Sequence, residues 1–229
     1  MARPREFDEE AALTAAIGCF WARGYEATST RDLADAMGIG GKSLYNAFGD
    51  KHALFRQALE RYAQRFDVRI SRIEGRMPPR QAIRAFFDEI VEQTLSDPDW
   101  KGCMVVNSAV EVAPHDPDLR QVVTECLAKL EAFFRRCIAA GQQSGTIPAV
   151  QTADDLARHL LAVLLGLRVL ARSRPEPALL QGLLRPTFSL LGEAVAEGGA
   201  GIEKCKGRRR DRPAGTPHQS KETDRGQRK

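Results

Sequence analysis

No uninterrupted apolar run reaches the ~18 residues that a membrane-spanning helix needs, so none is expected. The opening residues, MARPREFDEE, lack the basic-then-apolar order of a secretory leader, which makes the cytoplasm the expected location. Cysteine is sparse and ill-matched to pairing: Cys19, Cys103, Cys126, Cys137 and Cys205 are odd in number, scattered, and without a CxxC pair. With no histidine at zinc-ligand spacing beside them, a disulfide framework and a structural zinc site are both excluded, and the thiols read mostly as small buried hydrophobes. His52, His115, His159 and His218 lie far apart, and no Ser-His-Asp order, glycine-rich phosphate loop or metal cluster frames any of them. Glu89 and Glu92 share a helical face that reads as solvated surface. No catalytic residue, cofactor or metal site is therefore expected. The period-two alternation of strands is missing as well, which leaves an all-α chain.

Charge of one sign is short in the body of the protein. The formal net charge is +4, but residues 203–229 alone contribute +6, from ten Lys or Arg against four Asp or Glu. The other 202 residues carry a net −2, so an interaction with nucleic acid has to be argued from the placement of charge.

What is present is helix. Leu13, Ala16, Ile17 and Phe20 form an amphipathic stripe ending at Gly24, a residue suited to a C-terminal cap. Ser29-Thr30-Arg31-Asp32 fits a capping box that opens a short second helix, with Leu33, Ala34 and Met37 inward. Gly38-Ile39-Gly40-Gly41 breaks it, and a third helix is predicted from Lys42 to Phe48 with Leu44 and Phe48 inward. Asp50 can cap a fourth, carrying Leu54, Phe55, Ala58, Leu59, Tyr62 and Phe66. Beyond Pro78-Pro79, helical patterns cover 80–96, 102–113, 117–141, 153–172 and 176–196, the last expected to kink at Pro186. From Gly198 onward the chain is polar and charged, and is expected to be disordered.

Two short helices around a glycine-containing turn form the helix-turn-helix pattern, in which the first helix braces on the DNA backbone and the second enters the major groove. With Leu44 and Phe48 turned inward, Lys42, Ser43, Tyr45 and Asn46 are left outward, all able to meet phosphates or base edges.

The run ATSTRDLADAMGIGGKSLYNAFGDKHALF, preceded by AAIGCFWARGY, resembles the N-terminal signature of the TetR family. It is carried by Phe20, Gly24, Tyr25, Thr28, Leu33, Ala34, Gly38, Ile39, Leu44, Tyr45, Phe48, Lys51, Leu54 and Phe55. The resemblance implies a homodimeric repressor released from a palindromic operator by a small-molecule or electrophile signal. It implies an N-terminal three-helix helix-turn-helix DNA-binding domain (1–56), a helical ligand-binding and dimerisation domain (57–197) and a basic tail (198–229). It places Thr28, Ser29, Thr30, Tyr45 and Lys51 at the phosphate backbone, and Gly41, Lys42, Ser43 and Asn46 where sequence or its immediate backbone is read. Gly40 and Asn46-Ala47 depart from common family residues, which bears on the operator's sequence. Arg3 and Arg5 fit either a minor-groove arm or a solvated terminus.

In the C-terminal half, residues 159–171 are apolar on nearly every side, and the following segment behaves alike. Leu160, Leu164, Leu167, Leu180, Leu184, Phe188 and Leu191 fit a four-helix seam across a two-fold axis, or else one subunit's own core. Trp100, Cys103, Met104, Asn107, Phe133, Phe134, Cys137 and His159 are the candidate ligand-binding or sensing residues, mixing apolar walls with polar groups. Residues 102–120 resemble a segment of one TetR branch in which a cysteine, here Cys103, can sense electrophiles or oxidants. A buried structural thiol is the other reading. Arg208, Arg209, Arg210 and Arg212 either add nonspecific DNA affinity by counterion release or solubilise the chain. The expected partners are double-stranded DNA, an unidentified inducer and a second copy of the chain, with no membrane. A rival from another class is a binding or oligomerisation protein whose headpiece no longer holds DNA.

Overall fold

A computed structural model describes residues 7–193, and among them every regular element is helical. Arg3, Arg5, His218, Cys205 and the basic tail lie outside the described residues. The order is α1 (Glu9–Arg23), α2 (Thr30–Met37), α3 (Gly41–Phe48), α4 (Lys51–Ile73), α5 (Pro79–Ser96), α6 (Met104–Glu111), α7 (Pro117–Gln143), α8 (Ala153–Ser173) and α9 (Pro177–Leu190). None of these helices is long and apolar enough to cross a membrane.

Local chemistry sets the boundaries at the N-terminal end. The Asp8 carboxylate accepts from the Glu10 and Ala11 N–H groups, two of the donors that the first turn of α1 leaves free. Ser29 and Asp32 cap α2 reciprocally: the Asp32 N–H donates to the Ser29 hydroxyl (3.1 Å), and the Ser29 N–H donates to the Asp32 carboxylate (2.9 Å). The Ser29 hydroxyl also donates to the Asp32 carboxylate; that bond first, then the Ser29 N–H and Arg23 at 2.8 Å, hold the Asp32 pKa down at about 2. Gly38 ends α2 in the left-handed region at φ 65°, so the chain can reverse into α3. Ala16, Ile17, Phe20, Leu33, Leu44, Phe48, Leu54 and Phe55 then close a small core between α1, α2, α3 and the first turns of α4.

The later helices form the larger body around α7, which packs against α4, α5, α6 and α8. Its centre is aromatic: Phe86, Phe87, Phe133, Phe134 and Phe188 meet at ring centroid separations of 5.4 to 6.0 Å. Two segments are shorter than their patterns suggested. The helix expected over 102–113 begins at Met104, because Gly102 lies at φ 71°. The last one ends at Leu190, four residues past Pro186, although the helix does continue through that proline.

Candidate functional site

On α3, Leu44 and Phe48 are buried as their spacing requires, and the opposite face is open. Gly41, Lys42 and Asn46 are exposed, Ser43 is half-buried, and Tyr45 keeps 52% of its surface in solvent. No carboxylate lies on α3, so nothing on it repels a phosphate. Ser29 is exposed and Thr30 half-buried at the start of α2. Lys51 holds its ammonium 4.3 Å from the centre of the Tyr25 ring, on the same end of the molecule.

Thr28 takes a different place from the one its family position suggests. It is fully buried, and its hydroxyl donates to the Gly24 carbonyl at 2.6 Å. That bond fixes the turn between α1 and α2, so Thr28 shapes this face from behind and does not stand on it.

The expected dimer residues also need correction. Leu160, Leu164, Leu167, Leu180, Leu184, Phe188 and Leu191 are all buried within the single chain. They are the core faces of α8 and α9. The residues left open are Ala162, Gly166 and Val169 on α8 and Pro186 and Leu190 on α9, with Leu179 and Leu183 half-buried beside them. Val169 and Leu190 remain about half exposed, at 52% and 48%.

The sensing candidates divide. A cavity of about 690 Å³ opens between α4, the segment joining α5 to α6, and α8. Of the candidates only Trp100 lines it. Cys103 is buried at the N-cap of α6, beside a small apolar gap and in contact with the Tyr62 phenol. Met104 is packed in the core, and the Asn107 side-chain amide donates to the Lys101 carbonyl at 3.1 Å. Phe133 and Phe134 belong to the aromatic centre, and burial pushes the Cys137 thiol up to about 12. His159 stands exposed on α8 and does not line this cavity.

The cavity instead draws on residues that apolar periodicity passes over. Arg61, Arg65, Arg69 and Arg72 follow one another along α4 at spacings of four, four and three, and all four line it. Trp21, Tyr62 and Phe66 complete the wall, with Thr94, Lys101 and Arg168 opposite. The arginine ladder was the signal available in the sequence.

The cavity rim is tied to the N-terminal helices. Asp97 organises the α5–α6 segment: its carboxylate accepts from the Asp99 and Lys101 N–H groups and from the Lys101 ammonium, at 3.2, 2.9 and 2.6 Å. This holds Trp100 at φ 46°, a strained backbone for a tryptophan. Next in the chain, the Gly102 carbonyl accepts from the Trp21 indole N–H at 3.2 Å. Two more ties follow: the Glu26 N–H donates to the Glu111 carboxylate at 2.9 Å, and the His52 ring meets the Asp116 carboxylate at 2.7 Å. Asp118 joins His52 and Asp116, their ligating atoms lying within 4.8 Å of one another. Asp116 already caps α7 through the Leu119 N–H, so this group works as a cap and a brace. Sequence spacing missed it because His52 and Asp116 are 64 residues apart.

Comparisons with known proteins agree with this layout. Residues 12–58 match the family described as bacterial regulatory proteins, tetR family, and residues 79–185 match the tetracyclin repressor-like C-terminal domain. The chain is 34% identical over 194 residues to the uncharacterized HTH-type transcriptional regulator YezE of Bacillus subtilis, covering 83% of this chain and all of that one. It is 30% identical to the HTH-type transcriptional repressor ComR of Escherichia coli, over 84% of this chain and 93% of the relative. Among solved structures, a cysteine mutant of the TetR family regulator CifR, complexed with a 26-base-pair operator DNA, superposes with a TM-score of 0.73. It is 33% identical, covering 82% of this chain and 98% of that one. The carboxylate-free face of α3, the all-helical body and these matches identify the chain as a transcriptional regulator of the TetR family.

Proposed function

We propose that the protein is a homodimeric repressor that grips a palindromic operator through α2 and α3 and releases it when a small molecule occupies the cavity beside α4. The observation that carries this reading is the α3 face: Lys42, Tyr45 and Asn46 exposed over buried Leu44 and Phe48, with no acidic residue on the helix. Lys42 and Asn46 offer a cation and an amide to phosphate and base edges, Tyr45 an aromatic face and a hydroxyl to the sugar-phosphate backbone. Ser29, Thr30, Ser43 and Lys51 flank them, and Gly41 allows close approach of the α3 N-terminus to a phosphate.

Dimerisation supplies the second recognition helix, one turn of DNA away. The outer stripes of α8 and α9, with Val169 and Leu190 exposed and Leu179 and Leu183 half-buried, support a two-fold seam of four helices. Release follows by linkage. A ligand that prefers the conformation with misplaced recognition helices weakens DNA binding by the same coupling. The Trp21–Gly102, Glu26–Glu111 and His52–Asp116 contacts give that coupling a physical route.

A mobility-shift titration against DNA flanking the protein's own coding sequence, run with size-exclusion chromatography, tests the reading. A retarded band at a palindrome from a protein eluting as a dimer is expected. No band at low salt would leave a binding protein whose headpiece does not hold DNA.

A further inference from the structure

The cavity beside α4 is strongly cationic for its size. Six cationic side chains line it, Arg61, Arg65, Arg69, Arg72, Lys101 and Arg168, and Asp97 is the single carboxylate among the lining residues. Carboxylates around the cavity account for four of the six. Arg61 reaches Glu10, Arg69 and Arg72 share Glu89, and Lys101 lies between Asp97 and Asp99. Arg65 and Arg168 have no carboxylate partner among the described residues.

Arg65 is exposed at the rim and lies against aromatic faces, 5.1 Å from the Tyr62 ring centre and 5.9 Å from that of Trp21. Arg168 is different. Only 6% of it is exposed, yet the one hydrogen bond of its side chain among the described residues is a long one, 3.4 Å from an Nη to the Thr94 hydroxyl. Its Nε–H is buried with no acceptor among the described residues. A guanidinium withdrawn from water without a counter-charge is costly, and so is an unmet donor on it. Arg69, also buried, feels that charge: burial first, and Arg168 second, lower its pKa. Both strains are relieved by one event, the arrival of an anion.

The volume, about 690 Å³, suits an organic molecule better than a bare inorganic ion. The walls are Trp21, Tyr62, Phe66 and Trp100, flat aromatic surfaces suited to an apolar body. Glu89 already offsets Arg69 and Arg72, so Arg168 is the buried lining cation left without a carboxylate among the described residues, which favours a monoanion. Arginine's planar fork matches a carboxylate's two oxygens.

We propose that this cavity binds an organic monocarboxylate, its carboxylate held by Arg168 beside Thr94 and Arg69, and its apolar body lodged between Trp21, Tyr62 and Trp100. This names the ligand class for the site in the proposed function, and rests on that function only for its regulatory consequence.

Both tryptophans of the chain line the cavity, so intrinsic fluorescence of the full-length protein reports occupancy directly. The probes are phenylacetate, hydrocinnamate and octanoate, each against its own amide. At least one acid is expected to give a saturable change and to bind roughly ten- to a hundredfold more tightly than its amide, the difference a charge-assisted pair makes. Arg168→Gln should abolish that preference with the circular dichroism unchanged, and Arg168→Lys should keep part of it. Arg65→Gln, at the exposed rim, should weaken acid binding more mildly without any risk to the fold. The proposal is overturned if no acid gives saturable binding up to about 10 mM, a limit that would still reveal a millimolar site. It is equally overturned if acid and amide bind alike, or if Arg168→Gln retains the preference. Operator binding is read separately by mobility shift. An acid that binds without releasing DNA refutes the inducer role and leaves the site standing; failure of every acid refutes the site and leaves operator binding untouched.

Discussion

Replacing Gly24 with alanine should destabilise the protein by about 1.5–4 kcal/mol, chiefly through the backbone. Gly24 sits at φ 88°, ψ 176°, a region essentially closed to residues with a β-carbon, where occupancy costs on the order of 1–3 kcal/mol. An added methyl would also lie 2.7 Å from one oxygen of Glu111 and 2.9 Å from the other. That carboxylate is the end of a flexible side chain, so it would swing aside cheaply, but it would release the Glu26 N–H. This bond is solvent-exposed, and its loss adds only about 0.5–1 kcal/mol. Urea unfolding at fixed protein concentration measures the sum, so that self-association contributes equally to every variant. The double-mutant cycle with Glu111→Ala separates the parts. Without Glu111 the alanine should cost less, the difference being the lost tie. A Gly24→Ala protein within about 0.5 kcal/mol of wild type would show that the turn relaxes freely, and would refute the strain reasoning.

Three further outcomes are expected. Cys126 and Cys137, each pushed up to about 12 by burial, should resist iodoacetamide in the native protein at pH 8 and react on unfolding; rapid native labelling would contradict their placement. Lys42→Ala should weaken operator binding for any sequence and lower the slope of log K against log salt by about one, whereas an unchanged slope would remove Lys42 from the phosphate contacts. Trp21→Phe keeps the aromatic wall but deletes the indole donor to Gly102, so it should preserve ligand binding while reducing the ligand's effect on DNA affinity. An unaltered coupling would eliminate this contact as the route.

The N-terminal unit was legible in the sequence because its determinants are local. The Ser29–Asp32 capping box, the Gly24 and Gly38 stops and the Leu44–Phe48 spacing are each set within a few residues. Thr28 escaped because a threonine before a capped helix offers its hydroxyl equally to phosphate or to a carbonyl behind it, and only the fold decides. The leucines of α8 and α9 fitted either a seam or one subunit's core for a related reason. When apolar residues occupy all sides of a helix, periodicity cannot say which side the chain covers itself, and the larger leucines went to the interior. The cavity was hidden because its charged lining looks like solvated surface along α4 until Arg168, 99 positions after Arg69, is brought opposite.

Helix α4 has a mechanical property that follows from its 23 residues. It is a stiff rod of roughly 34 Å, at 1.5 Å per residue. Its first turns, through Leu54 and Phe55, are embedded in the headpiece core, and its later turns carry the arginines of the cavity wall. A tilt of about 5° set at the cavity end sweeps the far end through roughly 3 Å, by the geometry of a rod that length. That is close to the rise of one base pair. In the proposed ligand-released dimer, a displacement too small to see at the cavity would thus put the recognition helix out of step with its groove, and the second copy would double the mismatch.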